Sequence, residues 1–107
     1  MKGKNRYDLI YAPQVKTHLH ATERKYHSLI RRTIETQLQF ELNLEIRNRK
    51  PLKRPVELEA DWEIRFGPDN RFRVFFSVEQ ENRQMFILAI GIKRENRLII
   101  DREEVNL

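Results

Sequence analysis

Three cations punctuate apolar runs in the second half of the sequence. Arg65 sits in Trp62-Glu-Ile-Arg-Phe66, Arg73 in Phe72-Arg-Val-Phe-Phe76, and Lys93 closes Leu88-Ala-Ile-Gly-Ile-Lys93. If these runs are neighbouring strands, the three side chains can converge on one sheet face. Guanidinium and ammonium groups gathered in that way stabilise a crowded phosphate without a metal. The alternative is that they are solvated residues of an outer sheet face, where charged strand residues usually lie.

A second basic element precedes them. Arg47, Arg49, Lys50, Lys53 and Arg54 put five cations into eight residues with no acid among them, next to Pro51 and Pro55. Such a stretch reads either as a phosphate-contacting element or as a solvated loop that keeps the protein in solution. Arg94, beside Lys93, extends the candidate nucleic-acid-binding set. The charge excess is local: residues 1–60 carry 13 basic and 7 acidic side chains, residues 61–107 carry 8 and 9. The whole chain of 107 residues has a formal charge of +5 and a pI near 9.8, which favours polyanionic partners.

Other chemistries find little support. Three glycines in the chain cannot make a phosphate-binding loop at the required spacing, and nothing resembles a nucleophile elbow or a Ser/His/Asp set. His18, His20 and His27 fit scattered surface histidines better than a metal site, because helix positions two apart point away from each other. With no cysteine, disulfides and thiolate metal sites are out. No metal and no cofactor is expected. The longest apolar run, Phe86 to Ile92, is strand-sized and too short for a membrane span. No apolar stretch of signal-peptide length follows the basic N-terminus. A cytoplasmic protein without membrane association is the expectation.

The elements that must position these residues follow from patterning. Tyr7-Asp-Leu-Ile-Tyr-Ala12 reads as a first strand. Pro13 suits the first turn of a short helix running to about His20. Thr22, ahead of Glu23-Arg-Lys25, looks like the N-cap of a second helix. Tyr26, Ile30, Ile34, Leu38 and Leu42 then recur every four residues as one apolar stripe, with Leu29 beside them. Two such helices form a hairpin. Prolines 51 and 55 make residues 47–57 a loop.

Beyond it, Trp62–Phe66 alternates as a strand with one buried face, Gly67-Pro-Asp-Asn70 is a turn, Phe72–Val78 the next strand and Glu79–Arg83 the next turn. Met85–Ile92 is apolar almost throughout, as a central strand covered on both faces should be. Leu98-Ile-Ile100 is a short edge strand. Trp62, Tyr7, Tyr11 and the six phenylalanines are assigned chiefly to the core. The expected architecture is a single α+β domain over residues 1–107: an N-terminal strand, a helical hairpin, then a twisted, mainly antiparallel β-meander sheet.

The order and spacing of these motifs resemble the RelE/ParE toxin superfamily along nearly the whole length, from Tyr7 to the end of the long strand. The stretches that carry the resemblance are Trp62–Phe66 with Phe72–Phe76, Leu88–Lys93, Arg47-Asn-Arg-Lys-Pro-Leu52 and Asn96-Arg-Leu-Ile-Ile100. The resemblance implies a RelE-like fold and a toxin neutralised by a cognate antitoxin. RelE-type members cleave mRNA on the ribosome without metal, the 2′-OH attacking the adjacent phosphate while Lys and Arg side chains stabilise the charge. ParE-type members share the fold, lack that cationic set and act on DNA gyrase. A domesticated member would only bind its antitoxin and, through it, operator DNA.

Carried over by position, Arg65 matches a basic residue of the RelE site, Arg73 its central phosphate-binding arginine, and Lys93 the cation after the strand-ending glycine. Two departures stand out. Glu63 replaces a lysine and is either a general base, as glutamate is in other members, or a strand residue paired to Arg65 or Arg73. Leu98-Ile-Ile100 has no aromatic where RelE has a tyrosine.

Overall fold

The computed structural model describes residues 6–38, 49–51 and 60–105. Strand β1 (Asp8–Tyr11) leads into helix α1 (Gln14–His20), and a 3-10 turn (Arg24–Tyr26) into helix α2 (His27–Gln37). Strands β2 (Arg49–Pro51), β3 (Trp62–Phe66), β4 (Phe72–Glu79), β5 (Gln84–Arg94), β6 (Arg97–Ile100) and β7 (Glu103–Val105) follow. The sheet order is β2-β3-β4-β5-β6-β7, with each neighbouring pair antiparallel, and β1 lies parallel to β5. This is the expected α+β arrangement of strand, helical hairpin and meander.

One face of the sheet packs on the helices. Ile30, Ile34 and Leu38, spaced four apart, are at most 1% exposed and meet Ile64, Val74, Phe76, Met85, Ile87 and Ile90 in the main core. Full burial of each such side chain stabilises by roughly 1.5–3 kcal/mol, so the α2 stripe is the principal anchor of the hairpin. Leu42, the last expected member of the stripe, lies outside the described residues. On the opposite face Ala60, Phe75, Ala89, Leu98 and Ile100 form a second, smaller core.

A bulge in β5 lets one strand serve both. Phe75 pairs with Ala89 but Phe76 with Ile87, leaving Leu88 as the extra residue. An inserted residue reverses the in-out alternation beyond it. Met85 and Ile87 thus face the helices and so do Ile90 and Ile92, while Ala89, Gly91 and Lys93 turn to the other side.

The β5 edge opposite β4 is shared. β1 covers Gln84–Ile87 and β6 begins at Ile92, so a few backbone groups between them have no strand beside them. Two α1 side chains one turn apart supply partners: Gln14 Nε2 donates to the Leu88 carbonyl at 3.1 Å, and the Ile90 N–H donates to His18 Nδ1 at 3.2 Å. A buried backbone N–H left unpaired would cost about 1–3 kcal/mol.

Several expectations need correction. Residues 49–51, placed in a loop, pair with β3 as a short edge strand, where a proline is tolerated because one side of the strand needs no ladder bonds. Thr22 caps nothing at a helix N-terminus; its hydroxyl donates back to the Leu19 carbonyl at 2.7 Å, and the residues flanking the next turn and helix make no side-chain cap bond. Leu98-Ile-Ile100 is internal, because β7 covers its outer side. His18 is buried at 7% exposure, not a surface histidine. Tyr11 is not core but 42% exposed. Among the described residues no helix is long and apolar enough to cross a membrane.

Candidate phosphate site on the sheet face away from the helices

The register of three strands builds the site. Arg65 pairs with Arg73 across β3 and β4, Arg73 pairs with Gly91 across β4 and β5, and Lys93 follows two residues on. Directly paired residues share a face, as do residues two apart on a strand, so Arg65, Arg73 and Lys93 all stand opposite the helices. Glu63, two before Arg65, joins them. The turn that sets this register requires left-handed backbone: Gly67 has φ 83°, and Asp69 and Asn70 have φ 55° and 51°. A Cβ on Gly67 would lie 2.4 Å from the Phe72 ring.

The charged groups engage one another. Glu63 Oε2 accepts from Arg65 Nε at 3.0 Å and Nη2 at 2.7 Å. Glu63 Oε1 lies 3.6 Å from Arg73 Nη1, close enough for ion pairing but too far for a hydrogen bond. Arg73 Nε also donates to the Asn70 carbonyl at 3.2 Å, so the turn itself orients the guanidinium. Glu63 and Arg73 are 5% and 8% exposed. Burial pulls the Arg73 pKa below its ordinary value, and the Glu63 charge opposes that shift; an arginine nonetheless stays protonated in any ordinary solution. Glu63 Oε1 is buried with no hydrogen-bond partner. A carboxylate oxygen in that state is a ready acceptor for a hydroxyl brought beside it.

Lys93 is held by its backbone, its N–H donating to the Arg71 carbonyl at 2.7 Å. Its ammonium has no ion-pair or hydrogen-bond partner among the described residues. Arg73, Lys93, Asn96 and Leu98 line one open depression of about 320 Å3. Phe75 of the second core is the cross-strand partner of Glu63 and lies two residues from Arg73 on the same face. Leu98 and Ile100, at the positions where the resemblance would have an aromatic, are buried in that core.

The other predicted cations are placed differently. Arg94, one residue past Lys93, turns to the helix-side face. Lys50 takes the backbone register position opposite Glu63 and Arg49 that opposite Ile64, while Arg47, Lys53 and Arg54 lie outside the described residues. Sequence reasoning missed Gly91 and the Asn70 carbonyl. A glycine inside an apolar strand was the available signal for the first; nothing in sequence marks the second. Among the described residues no three His, Asp or Glu side chains gather to hold a metal.

No family model and no curated protein sequence matches the chain. Among solved structures, a chain of the toxin–antitoxin complex RelBE2 from Mycobacterium tuberculosis superposes with a TM-score of 0.67 at 20% identity, covering 83% of this chain and 93% of that one. At that identity the likeness is one of fold, and the fold of this chain is the RelE-like α+β fold.

Proposed function

We propose that this chain is a single-domain cytoplasmic toxin of a toxin–antitoxin pair, and that it cleaves mRNA on the ribosome without a metal. The observation that carries the reading is the buried Glu63–Arg73 pair with Arg65 and Lys93 on the same sheet face. In this reading Arg73 and Lys93 bind the scissile phosphate and stabilise its charge as the 2′-oxygen closes on phosphorus and the bond to the 5′-oxygen breaks. Glu63 Oε1, lacking a partner, takes the proton of the attacking 2′-OH, and the departing 5′-oxygen is protonated from solvent. Arg65 holds Glu63 in place. Arg47, Arg49, Lys50, Lys53, Arg54 and Arg94 add contacts to the RNA backbone. The cognate antitoxin would be acidic where it covers this face, which speeds its encounter with a basic surface.

Expression of the chain alone should arrest growth and produce codon-phased mRNA cuts, and Arg73→Ala should relieve both. Growth arrest with intact mRNA would remove the nuclease reading.

A second reading rests on two observations: Leu98 and Ile100 fill the place of the family aromatic with buried aliphatic side chains, and Glu63 neutralises part of the cation set. A gyrase-directed toxin, or a domesticated antitoxin-binding partner at operator DNA, fits that arrangement. The first predicts supercoiling defects with purified gyrase; the second predicts harmless expression without the partner.

A further inference from the structure

Two groups hold the Arg73 guanidinium, and they do different things. Glu63 Oε1, 3.6 Å from Nη1, attracts it by charge but lies beyond hydrogen-bond range and does not aim it. The aim comes from the Asn70 carbonyl, which accepts from Nε at 3.2 Å. A guanidinium grips an oxyanion with two parallel N–H groups. With Nε taken by the carbonyl, the pair at the Nη end remains for a phosphate in the depression that Arg73 shares with Lys93.

The direction of that carbonyl is a property of the turn. The Arg71 N–H donates to the Pro68 carbonyl at 3.0 Å, and between them Asp69 and Asn70 are both left-handed, with φ 55° and 51°. Gly, Asn and Asp accept that conformation, whereas other side chains resist it, β-branched ones most of all. The Asn70 side chain is exposed and makes no hydrogen bond among the described residues, so residue 70 matters through its backbone. The next carbonyl along serves the second cation: that of Arg71 accepts the Lys93 N–H at 2.7 Å. Consecutive peptide groups of one turn are therefore bonded to the Arg73 guanidinium and to the Lys93 backbone.

We propose that Asn70 is a positioning residue of the phosphate site, its left-handed backbone aiming the carbonyl that orients Arg73 and keeping the Arg71 carbonyl on Lys93. One turn thereby sets the spacing of both cations. Asn70 itself touches no substrate and acts mainly through Arg73. A long, flexible side chain needs such a fixed point, because a misplacement of about 1 Å can cost about 100-fold in rate. The inference rests on reading this sheet face as a phosphate site, but the orientation of Arg73 is measurable without that reading.

The test compares Asn70→Gly, which keeps the left-handed backbone, with Asn70→Val, which opposes it, in the whole chain. By NMR, the Arg73 Nε–H should be protected from exchange with water in the parent and in Asn70→Gly. In Asn70→Val it should lose that protection and the Lys93 amide should shift, while the amides of Ile34 and Ile87 stay native. Titration with inorganic phosphate should require about tenfold more of the anion for Asn70→Val than for the other two. Single-turnover cleavage of ribosome-bound mRNA should slow by about 10- to 100-fold in Asn70→Val alone. In an Arg73→Lys background, which has no Nε–H, Asn70→Val should lose most of its effect. An unchanged Arg73 signal in folded Asn70→Val, an Asn70→Gly that behaves like Asn70→Val, or an undiminished effect in the Arg73→Lys background would each overturn the proposal. A parent that neither binds phosphate nor cleaves, with the Nε–H response intact, would instead overturn the phosphate-site reading and with it the functional part of this assignment.

Discussion

Glu63 and Arg73 face each other from adjacent strands, Oε1 to Nη1 at 3.6 Å, both less than a tenth exposed. Arg65 is nearer to the same carboxylate, at 2.7 Å, but its side chain is 36% exposed. Distance and burial therefore rank the two partners in opposite order. Solvent screening reduces an exposed pair to about 0.2–1 kcal/mol, whereas removing one partner of a buried pair costs about 3–5 kcal/mol because the other charge is left stranded. Burial should win. Double-mutant cycles by urea unfolding, Glu63→Gln with Arg73→Met and Glu63→Gln with Arg65→Met, should give a coupling of about 1–3 kcal/mol for Arg73 and less than half of it for Arg65. Equal couplings would mean that the shorter contact decides.

The same carboxylate separates two functional effects. Removing it raises the positive charge of the cluster by one unit, which should tighten RNA binding, yet it also deletes the proposed proton acceptor. In single-turnover cleavage of ribosome-bound mRNA, Glu63→Gln should lower the rate by about 10²–10⁴ with substrate affinity unchanged or improved. A faster enzyme would show that Glu63 only competes with the phosphate for Arg73.

Why the site was partly legible follows from how β-structure encodes faces. Arg65 sits in an alternating segment, where period-two patterning fixes which side each residue takes. Phe72–Phe76 is buried at every position, so the side taken by Arg73 follows only from its pairing with Arg65 across the turn. Lys93 was harder, because Met85–Ile92 is apolar on both faces and hides its own parity; only the bulge at Leu88 turns Lys93 toward Arg73. The bond between His18 and Ile90 spans 72 positions and fills a break in a ladder that no local signal announces. β7 was missed because Glu103 and Glu104 are edge residues, exposed and without apolar alternation. Pro51 argued for a loop and was overruled by its place at the other edge of the sheet.

Gly91 links the site to the second core. A Cβ there would lie 2.9 Å from Leu98 Cδ1, 3.0 Å from Ile100 Cγ1 and 3.2 Å from the Ile99 carbonyl oxygen. Two of these neighbours are buried side chains and the third is backbone, so β6 must move away from β5. Overpacking of this kind costs about 1–3 kcal/mol. Gly91→Ala should lower the urea midpoint accordingly and shift the amides of Leu98–Ile100. A variant as stable as the parent would show that β6 yields freely.

His18 predicts how stability depends on pH. Burial holds its pKa below the ordinary value, with the Asp101 charge opposing the shift, and Nδ1 must be unprotonated to accept the Ile90 N–H. The unfolded chain takes up a proton on this ring near pH 6.5, and the folded chain resists it. Over the window from about pH 6.5 down to the lowered folded value, the unfolded state therefore binds more protons, and stability declines as pH falls. Above about pH 6.5 both states are neutral at His18 and the contribution is flat. The slope from one such group cannot exceed about 1.4 kcal/mol per pH unit. Urea midpoints between pH 7.5 and 5.5 should show this decline, and His18→Gln, which keeps an acceptor and cannot titrate, should flatten it. If the decline survives in His18→Gln, another group carries it, and the Ile90–His18 bond is not the acid-sensitive joint of the sheet.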